Sequence, residues 1–195
     1  MVQLLVLALA AVFIAPGCQS YDELVAKNEA CNQKWADLEA NLQRRADLIP
    51  QLVATVKGAA KYEESTLTKI TQARAEATSI KLSAEDLSDP AKVNAFMAAQ
   101  EKLSSGALSR LLIANENYPK LQASSNYTDL MKQLEGTENR ILRAREEYNK
   151  AVGLYNTELG KIKGSAVNKA TGKPFQPRVY FSASPAAQTA PAVSF

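Results

Sequence analysis

The sequence predicts an all-α fold: an antiparallel up-and-down four-helix bundle of long helices, with an N-terminal signal or anchor and an extended C-terminal tail. Three observations carry this. From Tyr127 to Ile162, steps of alternately three and four residues land on Tyr127, Leu130, Leu134, Ile141, Tyr148 and Tyr155, while the residues between them are mostly polar. Shorter stripes of similar period recur upstream. Most glycines and prolines sit at segment ends or in the tail, which leaves long stretches free to be helical. At ~1.5 Å per residue the 127–162 helix is roughly 55 Å long, so it needs partners along its whole length. The seam drifts toward Val152 and Leu159, as expected of a helix straighter than a coiled coil.

Met1 to Gly17 carries no charged side chain, and Leu4 to Ile14 is almost wholly apolar. A short apolar run ending in small residues reads as an export signal. Ala15-Pro16-Gly17-Cys18 resembles the lipobox of bacterial lipoproteins, which implies acylation of Cys18. Ala15 stands where leucine is usual, and no basic residue precedes the apolar run. An uncleaved anchor competes with this reading, although the run falls short of the ~20 residues that span a bilayer. A plain secretory peptide is the third option. All three place the rest of the chain outside the cytoplasm. The expected division is 1–17 as signal peptide or anchor, 18–163 as bundle and 164–195 as extended, partly disordered tail.

The first helix is expected from Tyr21 to Arg45, with Leu24, Cys31, Trp35, Leu38 and Leu42 on its apolar side and Arg44 and Arg45 complementing its C-terminal dipole. Cys31 reads as a buried free thiol, since an acylated Cys18 leaves it without a partner. Asp47-Leu48-Ile49-Pro50 predicts a restart, with Asp47 as cap and Pro50 in the first turn of a second helix that runs to about Ile80. Ser83 to Asp89 connects. Asp89-Pro90 starts the third helix, which carries Val93, Phe96, Gln100, Leu103 and Leu111 and stops at Tyr118-Pro119. Ser125 or Asn126 caps the fourth. Beyond Gly164 the tail is rich in Ala, Ser, Pro and Gln, and Phe175, Tyr180, Phe181 and Phe195 are candidates for pinning it to the bundle.

Composition removes several function classes. The net charge of +3 is modest and the basic residues alternate with acidic ones, so no nucleic-acid surface is expected. The absence of histidine removes the usual general base, the Ser-His triads and the common zinc ligands. No cofactor, metal or catalytic residue is expected.

Asp37 to Lys57, which contains Leu42-Gln43-Arg44-Arg45-Ala46-Asp47-Leu48-Ile49-Pro50, resembles the signature of the LemA family. Thr66–Ala75, Leu108–Pro119 and Gly136-Thr137-Glu138-Asn139-Arg140-Ile141 are similar to it as well, as is the Ala-Pro-Ala-Val-Ser-Phe ending. The resemblance covers roughly Tyr21 to Phe195. It implies a membrane-associated antiparallel helical bundle and no established chemistry. Many members carry an uncleaved transmembrane helix where this chain has its lipobox-like site.

Laying the four helices antiparallel brings Glu63, Arg110 and Glu138 to one height, with Trp35 nearby and Glu138 facing the region of Gly106. These three residues are expected to form a partly buried polar layer that fixes register. Close-packed stripes predict no cleft between the helices, which argues against an acid–base pair. The expected function is therefore a membrane-anchored envelope scaffold with protein partners. The alternatives are a self-assembling or membrane-remodelling coiled coil, hinted at by Leu108, Leu112 and Ile113, and a carboxylate-based hydrolase.

Overall fold

The structure, a computed structural model, describes residues 2–59, 64–109, 123–170 and 175–182. Within them the chain is all-helical, apart from its connections and one extended strap. In order come α1 (Val2–Ala59), α2 (Glu64–Ser79), a 3₁₀ turn (Asp86–Ser88), α3 (Pro90–Glu101) continuing as a π-helical stretch (Lys102–Leu108), α4 (Ser125–Gly160) and α5 (Ile162–Ala170).

The expected break at Arg45 to Pro50 is absent: α1 runs through it as one helix. A proline inside a helix removes the N–H that would bond the carbonyl four residues earlier. Here that carbonyl belongs to Ala46, and Arg74 Nε of α2 donates to it at 2.7 Å. The guanidinium replaces the missing donor and ties α2 to α1 in the same contact. Asp47 caps nothing; its carboxylate accepts from Gln43 one turn earlier, at 2.7 Å. Arg45 is accordingly mid-helix and buried, not a terminal charge.

Helix starts elsewhere are close to expectation. Asp89 caps α3, accepting from Ala91 N at 2.9 Å and Lys92 N at 3.4 Å, with Pro90 in the first turn. The cap of α4 is Ser124, accepting from Tyr127 N at 3.4 Å, one residue before the expected Ser125. Asp86 holds the intervening turn by accepting from Ser83 N and Oγ and from Lys92. The Lys92 ammonium first, and then Ser83, lower its carboxyl to about 2.

α1 and α4 lie along one another in opposite directions, through Lys34–Glu147, Arg45–Glu138 at 3.3 Å and Asn126 Nδ2 to Thr55 Oγ1 at 3.5 Å. α2 meets α3 in opposite directions too, through Gln100 Nε2 to Ala77 O at 2.9 Å and Lys102–Glu76. This register differs by about two turns from the expected one, because the irregular residues 80–83 add chain on the α2 side of the turn. The apolar stripes form two clusters. One gathers Leu48, Ile49, Leu52, Ile70, Leu103 and Tyr127; the other gathers Leu38, Leu42, Phe96, Ile141, Tyr148 and Tyr155. Trp35 belongs to the second, edge-on to Tyr148 at 5.4 Å and tilted against Phe96 at 5.5 Å, and not to a polar layer. Cys31 is a fully buried free thiol in that cluster, pushed up by burial.

Helical structure continues past residue 163 into α5, which packs back on α1. Gly164 permits the bend, since a Cβ there would collide with the Glu158 carbonyl oxygen. Residues 175–182 then lie as an extended strap along α4. Asn149 Nδ2 donates to Phe181 O at 2.9 Å and its Oδ1 accepts from Phe181 N at 2.8 Å; Asn156 does the same for Arg178 O and N, both at 2.9 Å. Tyr148 and Tyr155 donate to the carbonyls of Val179 and Gln176 at 3.2 and 2.9 Å. The match is geometric. Seven helical residues rise roughly 10 Å, and so do three extended residues, so Tyr-Asn pairs spaced by a heptad meet every third strap residue.

Two outcomes test this account. Arg74→Ala is expected to lower unfolding free energy by ~1–3 kcal/mol, the cost of stranding the Ala46 carbonyl. That cost should shrink to a few tenths in a Pro50→Ala background, where residue 50 regains its own N–H; urea denaturation of the four-member cycle measures it. Tyr148 and Tyr155 are pushed up to about 12, by burial first and against the pull of Arg178. A phenol raised in the folded state contributes stability that is complete below its ordinary value of ~10 and is lost as pH rises through ~12. Absorbance at 295 nm should therefore show two late-titrating tyrosines, and strap amides should lose hydrogen-exchange protection over that same interval.

Candidate functional site

Between the two apolar clusters lies a polar layer. Arg45, 2% exposed, sends Nη1 to both Glu138 carboxylate oxygens at 3.3 and 3.4 Å and Nη2 to Gln100 Oε1. Gln100 relays the contact to the Ala77 carbonyl, and Ser104 Oγ donates to Glu138 at 3.4 Å. One buried guanidinium thus touches all the helices around it: α3 and α4 directly, and α2 through Gln100. Burial lowers the Arg45 guanidinium from its ordinary value, and Glu138 works in the opposite direction. Its Nε–H is buried without an acceptor among the described residues.

Glu138 was expected in a polar layer with Arg110 and Glu63; among the described residues the cation it meets is Arg45. Glu63 and Arg110 lie outside the described residues. Cys18 falls within α1, and its side chain also lies outside the description. Arg45 was legible in principle. Leu38, Leu42, Arg45, Ile49 and Leu52 continue one stripe at steps of four, three, four and three, so reading through Pro50 would have put Arg45 in the core. Arg178 was missed outright. It is buried, with Nη2 on Asn28 and Asn32 and its guanidinium 5.9 Å from the Tyr155 ring, and no carboxylate stands against it among the described contacts.

The expectation of no cleft fails here. α3 with its π-helical stretch packs on α2, and α4 packs on α1, while among the described residues two hollows lie between α3 and α4. One hollow, of about 410 Å³, lies on the strap side of the polar layer, among Leu42, Met97, Ile141, Arg145 and Phe181. A second, of about 540 Å³, lies on the other side, among Leu108, Tyr127, Met131, Leu134 and Lys132. The two share Ser104 and Glu138 and so adjoin along one groove, which the Ser104–Glu138 hydrogen bond crosses between them; Arg45 lines the strap-side hollow. The π-helical stretch forms part of one wall; such widened turns are common where a helix serves a site rather than a core. Leu108, a residue that hinted at a second apolar face, is buried in this wall, and Leu112 and Ile113 lie outside the described residues. No cluster of three or more Asp, Glu, Cys or His residues able to hold a metal occurs among the described residues.

Arg45→Ala should cost about 2–3 kcal/mol of stability. A fully buried broken pair costs more, but Glu138 keeps 34% of its side chain exposed and can rehydrate. Glu138→Gln, which keeps an acceptor for the guanidinium, should cost less than half as much, as read by urea midpoints at constant slope.

The LemA family model matches residues 34–195. The magnetosome proteins MamQ 1 and MamQ 2 of Paramagnetospirillum magneticum are each 28% identical over 193 residues, spanning 91% of this chain and 70% of theirs. The magnetosome protein MamQ of Magnetospirillum gryphiswaldense is 28% identical over 204 residues, spanning 97% and 74%. With the polar layer, the groove and the strap all inside the matched span, the chain belongs to the LemA family.

Proposed function

We propose that this chain is a membrane-anchored, extracytoplasmic scaffold of the bacterial envelope: an antiparallel four-helix bundle that binds protein partners and performs no chemistry of its own. The observation that carries the reading is the unbroken α1. α1 passes without a break through Cys18 to Ala59, so after cleavage at residue 17 a lipid on Cys18 is carried by the same helix that enters the bundle. The lipobox-like run Ala15-Pro16-Gly17-Cys18 favours a lipid on Cys18 over a spanning segment. The multiple acyl chains of a lipoprotein anchor firmly where a single chain binds only marginally. Membership of the LemA family and likeness to proteins described as magnetosome proteins support a membrane setting. The engagement of Glu138 by Arg45 and Ser104 supports a structural role for that carboxylate.

Intact-mass spectrometry of the mature protein from the membrane fraction tests the anchor. The expected product begins at Cys18 and carries acyl mass, and Cys18→Ser should abolish both the cleavage and the added mass. A mature chain that starts at Met1 without acylation would overturn the lipid anchor.

A further inference from the structure

The groove between α3 and α4 begins where the strap ends. Phe181 and Ser182 are themselves part of its lining, so the described strap ends at the strap-side hollow. Phe181 is fixed there by Asn149, stacks edge-on to Phe96 at 6.4 Å and lies under the Arg145 guanidinium at 4.7 Å. The strap runs toward lower α4 numbers, since Arg178 pairs with Asn156 and Phe181 with Asn149. Its course thus leads into the groove and not away from it.

Reach and chemistry agree with that course. From Asn149 to Thr128, at the far end of the groove, α4 rises roughly 32 Å at ~1.5 Å per residue. Residues 183–195 span about 40 Å in an extended or polyproline conformation. Their sequence, Ala-Ser-Pro-Ala-Ala-Gln-Thr-Ala-Pro-Ala-Val-Ser-Phe, has no charged side chain and mostly small ones, and Pro185 and Pro191 favour the extended form. The groove asks for such an occupant. Its central charges, Arg45 and Glu138, already neutralise one another, and its walls are largely apolar. Tethering at Phe181 gives the tail a local concentration in the millimolar range, ahead of any free peptide of the same kind.

We propose that residues 183–195 of the same chain lie in this groove as a continuation of the strap, covering the polar layer and the Met131–Tyr127 wall. The test uses the full chain carrying Met131→p-benzoylphenylalanine, prepared as an equal mixture of ¹⁴N- and ¹⁵N-labelled protein, irradiated and digested. Cross-links from position 131 to peptides of 183–195, within single isotopic chains, are expected. Mixed-isotope products would assign the groove to a second copy, and no product with the tail in a variant of unchanged melting temperature would leave the groove to another ligand; either overturns the proposal. A chain ending at Ser182 supplies an independent readout. Its amides in 102–108 and 127–138 should exchange at least tenfold faster while Arg178 and Phe181 stay protected, and a synthetic 183–195 peptide at millimolar concentration should reverse the effect. Unchanged exchange on truncation would equally overturn it.

Discussion

The architecture depends on α1 remaining one helix across Pro50, and that depends on a single donor from another helix. A proline in mid-helix leaves a carbonyl stranded and carries a penalty of ~3 kcal/mol or more. Arg74 removes the hydrogen-bond part of that penalty by donating to Ala46 O. The helix is thus completed by tertiary structure: α2 supplies the donor that Pro50 lacks in α1, and α2 is positioned by the carbonyl that α1 leaves open. Continuity then carries Arg45 into the interior, one turn before the proline. There it separates the two apolar clusters and bonds α4 and α3 at once. A break at residue 46 would have left the same arginine on the surface.

This also marks how far the sequence could be read. The α4 seam was plain because its period holds over its whole length, and its drift toward Val152 and Leu159 is found in the buried set. Asp89-Pro90 was plain because a capping acid followed by proline is a local signal that needs no partner. Pro50 misled because local signals favour a helix start, and the donor that overrides them lies in another helix, 28 residues from the Ala46 carbonyl it serves. Seam and turn geometry placed Glu138 against the region of Gly106, and it accepts from Ser104 in the same stretch. Arg45 was not placed beside it, because the expected break had put that residue at a helix end.

The strap was hidden for a different reason. Its amino acids show no periodicity of their own; the pattern sits on the helix that receives it. Tyr148-Asn149 and Tyr155-Asn156 repeat at seven, and in each pair the asparagine offers both a donor and an acceptor to one strap residue. This satisfies the strap's backbone groups without a β-sheet, and at those positions it reads main chain and not side chain. Asn168 repeats the arrangement at Phe175 O and N, from α5. Sequence in the strap matters elsewhere: Arg178 enters the interior against Asn28 and Asn32 of α1, and Phe181 closes the second apolar cluster.

An open groove in a small helical protein needs a physical cause, and the pattern of attachments supplies one. α2 is fixed to α1 by Arg74 and carries α3 with it through Gln100 and Lys102. α4 is fixed to α1 along nearly its full length, from Lys34–Glu147 to Asn126–Thr55. The α3–α4 seam is therefore the joint where two separately anchored pairs meet. It is bridged by Ser104 to Glu138 and by the guanidinium beneath them. Bringing α3 and α4 into full contact would require α2 to leave the Ala46 carbonyl or α4 to give up its pairing with α1. The groove is thus a consequence of how α1 is kept whole, which makes it a built feature of the fold and not a packing defect.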